Sequence, residues 1–370
     1  VNDVAGFFAW LVEFGEREPG HVLYPTCDDL AWLLADRASQ LSKSYRLYAP
    51  ESQAILTLLD KQALHELCVR LGIATLPTAF PANGDEACVL SRQIGFPLIL
   101  KARTQALLES RSKGDFVESA RDLIPAYRRF LVENPFHPEM RARLPSVEQP
   151  MLQAFHENAA ENIYSIAGFA AKGQDLIAVR AAVKVLQRPR RLGVGLCFEE
   201  APVDPIVLDV VRRICREVGY FGVFEAEFVR DEGQACLIDF NPRFYGQMGF
   251  ETARDLPLAY LAWLGALGED AALATELSRA AAWREGRGYV YCNRFFFNMM
   301  VGLQGLSGHM NADEVLRWRR WLRDSTKRSV AFDSADVPGD RLPALVSAVN
   351  DCYSAARHPR SFLRQMVIGP

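Results

Sequence analysis

The sequence predicts a mixed α/β protein built of several packed lobes, and three observations carry that expectation. Its 370 residues exceed the roughly 100–200 residues of one typical domain. Up to about residue 80, strand-like segments alternate with helix-like ones. From about 150 the pattern becomes mostly β and leads into a hairpin with acidic and amide side chains at alternate positions. A composition of 49% hydrophobic and 24% charged residues supplies both a sizeable core and a polar surface.

His21–Pro25 reads as a short strand, followed by a helix whose first turn carries Asp28 and Asp29 and whose apolar side includes Leu30, Leu33, Leu34 and Leu41, acids at that end being favoured by the helix dipole. Tyr45–Tyr48 is the next strand, so the start of the chain has βαβ character, with the strand end at Pro25-Thr26 a natural ligand position. Asp60–Leu71 is an amphipathic helix stopped by Gly72. A strand runs from Pro97 to Lys101, and a helix is expected from Phe116 through Leu123 and on past Pro125. Met151–Phe155, Ile163–Ala170 and Leu176–Leu186 are strands, the last two joined by a turn at Lys172-Gly173; Pro189, Gly193 and Gly195 mark a loop. Val207, Val211, Ile214 and Val218 define a helix ending at Gly219. Gly222–Val229 and Ala235–Asn241 form a hairpin around Arg230–Gly233. A β-like aromatic run at Tyr289–Phe297 and helices around Glu314–Leu322 and Leu342–Tyr353 complete the chain.

With 42 Lys+Arg against 45 Asp+Glu and no long run of either sign, the chain lacks the electrostatic footprint of a nucleic-acid binder. Its longest apolar stretch, Leu256–Leu267, is shorter than the roughly 20 residues that span a bilayer. The opening VNDVAGFFAW does not order a basic segment, an apolar core and a cleavage site as a signal peptide does, and residue 1 is Val, which fits a fragment or a trimmed product. A cytoplasmic location is expected. The eight cysteines include no CxxC pair, and the six histidines show no metal spacing, so a zinc or disulfide framework is not predicted. Only seven of the 42 basic residues are lysines, which makes a lysine here more informative than an arginine.

The hairpin carries the chemistry. Residues two apart on a strand share a face, so Glu225 and Glu227 form one pair and Asp239 and Asn241 the other, brought opposite by the turn. Carboxylates so close repel unless a cation lies between them, and carboxylate oxygens with an amide carbonyl suit Mg²⁺. A plain polar sheet face is the alternative, and Glu225 could instead be a solvent-facing neighbour. Arg243, two residues beyond Asn241 across Pro242, has the paired donors that match phosphate oxygens.

Asp60-Lys61, Phe96–Lys101, Pro150–Gln153, Gly222–Phe228 and Leu237–Arg243, in that order, resemble the ATP-grasp superfamily in its carboxylate–amine ligase branch, over roughly residues 20 to 270. The resemblance implies an α/β amino-terminal lobe (1–90), a small lobe (91–149) and a large lobe with the metal hairpin (150–270) clamping ATP; the extension 271–370 falls outside it and is expected to form a substrate or dimer surface. It implies Mg²⁺, with Mn²⁺ as a substitute, held by Glu227, Asp239 and Asn241, and Arg243 beside the transferred phosphate, with Arg243 and Asn241 as the catalytic pair. It further implies ATP contacts from Lys61, Lys101, Lys113, Gln153, Glu161 and Lys184. Lys101 would meet the α- and β-phosphates, Gln153 would open the hinge segment along the adenine, and Glu161 would meet the ribose hydroxyls. The expected activity joins a small carboxylic acid to an amine, amino acids among them, through an acyl phosphate. A related enzyme with a non-amine acceptor, or a nucleotide-binding regulatory protein without turnover, is the alternative.

The sequence departs from the family in two places. Ala102–Gly114 has a single glycine where many relatives have a glycine-rich loop, leaving Ser110, Ser112, Lys113 and Gly114 as substitutes. Asp239 stands where most relatives have glutamate, a shorter stem with equally competent oxygens.

Overall fold

The computed structural model describes residues 3–110, 114–156, 162–173, 176–188, 193–231, 233–283, 286–324, 331–332 and 339–363. Two sheets position the site. The smaller has the order β1-β4-β2-β3, from β1 (Thr78–Ala79), β2 (Leu98–Lys101), β3 (Asp115–Val117) and β4 (Met151–Ala154), with all neighbours antiparallel. The larger has the order β11-β10-β7-β6-β5-β8-β9, from β5 (Ile163–Ala170), β6 (Ile177–Arg188), β7 (Val194–Ala201), β8 (Gly222–Asp231), β9 (Gln234–Asn241), β10 (Val290–Cys292) and β11 (Ala331–Phe332). Only the β10–β11 pair in it is parallel. Residues from the carboxyl-terminal stretch therefore extend the edge of the larger sheet.

The helix Lys61–Leu71 has both expected ends: the Asp60 side chain accepts from the backbone N–H of Gln62, and Gly72 takes a left-handed conformation at φ 63°. Leu64, Leu67 and Cys68 bury its inner face. The helix Pro205–Val218 closes in the same way at Gly219, glycine being the residue that enters that conformation without a Cβ clash.

Four local expectations need correction. Phe116 does not begin a helix: Asp115–Val117 pairs with Leu98–Leu100, and the helix runs Ala120–Glu133 with the exposed Pro125 inside it. Cross-strand pairing of an apolar segment outweighs its helical periodicity here. Gly195 lies within β7 rather than in a loop. The aromatic run splits at Asn293, whose side chain caps the helix Arg294–Leu306, so only Val290–Cys292 is a strand. Finally, His21–Pro25 and Tyr45–Tyr48 are joined by a single parallel bridge, Val22–Arg46, and form no ladder.

The β8–β9 hairpin matches the expected register: Glu225 lies opposite Asn241, and Glu227 opposite Asp239. Beyond that pair Phe228 faces Leu237, which leaves Ile238 as an unpaired bulge. Phe224, Ala226, Phe228 and Phe240 enter the principal core from the opposite face, with the Phe224 and Phe240 rings stacked at 5.7 Å.

A buried charged pair ties this sheet to the helix Met248–Ala253. Arg254, 1% exposed, donates from Nη2 to Glu251 Oε1 at 2.9 Å and from Nη1 to the Ala181 carbonyl on β6 at 2.7 Å. Its guanidinium also lies 3.9 Å from the Phe250 ring centroid. Burial raises the Glu251 carboxyl above its usual range, with Arg254 pulling the other way.

Candidate functional site

An open cleft of about 790 Å³ is lined from both sheets and from the helix Lys61–Leu71. Lys61, Lys101, Gln153 and Lys184 share its walls with Glu227 and Asp239. Each lysine has a reason to be there. Lys61 opens its helix; Lys101 ends β2, whose preceding three residues are buried; Lys184 lies on β6 opposite Ile163 and is 5% exposed.

Two of the ammonium groups are neutralised by carboxylates within the protein, and the third is hydrogen-bonded to an amide. Lys61 Nζ donates to Asp239 Oδ1 at 2.5 Å, and Lys184 Nζ to Glu227 Oε1 at 2.8 Å. Lys101 Nζ donates to Gln153 Oε1 at 3.0 Å, while Gln153 Nε2 donates to Thr78 Oγ1 at 3.1 Å. Gln153 belongs to an interior strand of the smaller sheet, so its side chain, rather than a free edge amide, braces Lys101.

One step along the ladder the environment becomes drier. Glu225 is 4% exposed, which corrects the solvent-facing alternative: β5 and the segment after β9 cover it. Its Oε1 accepts from Ser165 Oγ at 2.9 Å and from Gln247 Nε2, and its Oε2 accepts from Asn241 Nδ2 at 3.3 Å. Burial and then the neighbouring Glu227 charge push the Glu225 carboxyl up to about 8, against the pull of Lys184 and the Ser165 hydroxyl.

Arg243 faces the amino-terminal segment. Its Nε donates to Asp28 Oδ1, the first residue of the helix Asp28–Asp36, and its Nη2 donates to Asn241 Oδ1 at 3.0 Å. Burial would lower the guanidinium pKa, but Asp28 more than compensates and raises it. The Phe244 N–H donates to the Pro25 carbonyl at 3.0 Å, seating this loop at the strand-like end noted in the sequence. Arg243 lines a second, mostly apolar hollow with Tyr24, Tyr48, Phe221 and Phe244.

No family model matches the chain. Over 241 residues it is 26% identical to the carbamoyl phosphate synthase large chain of Thermus thermophilus, covering 60% of this chain and 21% of that protein. The chain thus spans about a fifth of that relative's length. Its fold superposes on biotin carboxylase from Campylobacter jejuni, solved as a β,γ-ATP complex, with a TM-score of 0.55 at 15% identity over 77% of this chain and 59% of that one. The chain has an ATP-grasp-like fold. The biotin carboxylase domain of 2-oxoglutarate carboxylase from Hydrogenobacter thermophilus, solved with MgADP, ADP and bicarbonate, gives a TM-score of 0.54 at 17% identity over 75% and 57% of the two chains.

Within this ATP-grasp-like fold, six of the expected site residues line one cleft: Lys61, Lys101, Gln153, Lys184, Glu227 and Asp239. Asn241 is the next ladder position along, and Arg243 borders the neighbouring cavity. Lys113, Ser112 and Glu161 lie outside the described residues. Ser110 donates to Asn134 Oδ1 within the small-sheet region. Asp28, Ser165 and Gln247 were not anticipated as site neighbours. Asp28 was legible as a first-turn helix acid, whereas nothing local in the sequence marks the other two.

Proposed function

We propose that this chain is an ATP-dependent ligase that activates a carboxylic acid as an acyl phosphate and passes it to an amine. The observation that carries this reading is the convergence of three lysines with an opposed Glu227/Asp239 pair on one cleft. Two carboxylates and the Asn241 carboxamide make an all-oxygen donor set, which fits Mg²⁺ or Mn²⁺. No group of three or more His, Cys, Asp or Glu side chains stands ready for a metal among the described residues, and the set proposed here is two carboxylates with one carboxamide. When bound, the metal supplies charge stabilisation at the phosphate oxygens.

The chain's own groups do the rest. Lys61 and Lys184 neutralise Asp239 and Glu227; were those carboxylates to hold a cation, both ammonium groups would be available to phosphate. Lys101 is held by Gln153 at the end of β2, a point charge for the α- and β-phosphates. Ile99, Ile163 and Ile238 give the cleft apolar surface for a base. Arg243, steadied by Asp28 and Asn241, would in this reading hold the oxygens of the transferred phosphoryl group while the acid attacks. The amine then displaces phosphate, so no protein nucleophile is needed.

With the correct acid and amine, the reaction releases ADP and inorganic phosphate in proportion to amide, and ¹⁸O placed in the acid appears in the phosphate. Paired screens of acids and amines, followed by phosphate release and mass spectrometry, measure both. AMP with pyrophosphate, or amide formed without label transfer, overturns the acyl-phosphate route. Lys101→Met should raise the KM for ATP far more than it lowers the melting temperature, because methionine preserves most of the packed stem. Kinetics at varied ATP alongside a thermal melt separate the two effects.

A further inference from the structure

The geometry points to Glu225 as the positioning residue that fixes which end of the Asn241 carboxamide faces the metal site. This inference rests on the reading of Asn241 as a metal ligand. An amide side chain presents a donor at one end and an acceptor at the other, and only the oxygen can ligate a cation. Asn241 stands between two groups of opposite demand. Glu225 Oε2 accepts from its Nδ2 at 3.3 Å, and Arg243 Nη2 donates to its Oδ1 at 3.0 Å. Rotating the amide by half a turn would set the carbonyl oxygen against the Glu225 oxygen and the NH₂ against the guanidinium, losing both bonds for two repulsions.

Arg243 cannot hold this orientation alone, because the mechanism calls on its guanidinium for phosphate. Glu225 has no such second duty. It is fixed from behind by Ser165 and Gln247 and faces Asn241 directly across the ladder. Its Oε1 is taken by Ser165 and Gln247, and Oε2 is the oxygen that accepts from the Asn241 N–H. The acid that appeared to be a spare member of the metal cluster thus sits behind the ligands, and outer partners of this kind commonly set metal affinity.

The test titrates Mn²⁺ calorimetrically into protein saturated with a nonhydrolysable ATP analogue and follows each variant by thermal melt. Glu225→Met keeps the volume but offers no acceptor, and should weaken Mn²⁺ binding by about 10- to 100-fold. Glu225→Gln can still turn an oxygen to Asn241 and should stay near wild type. In an Asn241→Ala background, Glu225→Met should have no further effect on Mn²⁺ affinity, a non-additivity that a merely structural role would not produce. Equal Mn²⁺ affinity in folded Glu225→Met and wild type overturns the assignment. So does an undiminished Glu225→Met effect in the Asn241→Ala background. If Glu225→Met does not fold, Ser165→Ala decides, since it removes a hydrogen bond that fixes Glu225 and leaves all three ligand side chains unchanged: weakened binding supports the positioning role, and wild-type affinity overturns it. A wild-type protein that takes up no Mn²⁺ with the nucleotide overturns the metal reading itself, an outcome distinct from the others.

Discussion

Replacing Asp239 with alanine should reduce ATP-dependent turnover by roughly 10²–10³-fold or more while leaving the melting temperature little changed, since in the proposed function several kcal/mol of phosphate charge stabilisation would depend on the metal. The Asp239 side chain is 35% exposed and its pair with Lys61 borders an open cleft, so water takes over much of the lost interaction at Lys61. Asp239→Asn, which retains one oxygen but not the charge, should fall between alanine and wild type. Steady-state phosphate release, paired with a thermal melt of each variant, checks both halves of the expectation. Near wild-type turnover in Asp239→Ala would remove the carboxylate from the site.

The largest loss of stability is expected at Arg254, which is not itself a proposed ligand. Arg254→Met leaves the Glu251 carboxylate and the Ala181 carbonyl buried without the guanidinium. Removing one partner of a buried ion pair typically costs about 3–5 kcal/mol, a fall in melting temperature of about 4–6 °C for a protein of this size. Replacing both charged members, as in Arg254→Met with Glu251→Leu, should recover most of that loss, because two apolar side chains leave no stranded charge. Differential scanning calorimetry of the single and double variants measures it. If the single change proved neutral, the pair would not be holding the helix Met248–Ala253 to β6.

What the sequence disclosed and what it hid follow from the range of the interactions. The hairpin register, the helix at Lys61 and its stop at Gly72 were legible because alternation, capping and left-handed glycine are local rules. The split at Asn293 was missed because an aromatic run suits a strand and a buried helix alike. The contacts that complete the site join distant parts of the chain: Arg243 to Asp28 across 215 positions, Lys61 to Asp239 across 178, and Ser165 to Glu225 across 60. No periodicity reports such pairs. Family resemblance supplied Lys61 and Asp239 as separate participants, but their present pairing and the burial of Glu225 emerge only from the fold.

The bulge at Ile238 has a consequence in parity. Asp231 faces Gln234 at the hairpin tip, and a regular antiparallel ladder propagated from that two-residue connection would oppose Glu227 to Ile238, turning Asp239 to the other face. Eleven residues separate Glu227 from Asp239, an odd number, whereas such a ladder requires an even one. The extra residue restores the phase before the acids are reached. Gain or loss of one residue between them would exchange a bulged hairpin for a straight one with both acids still opposed, and a change of two would keep the bulge. Sequences compared with this one should therefore be aligned on the two acids, with any gap placed inside the hairpin.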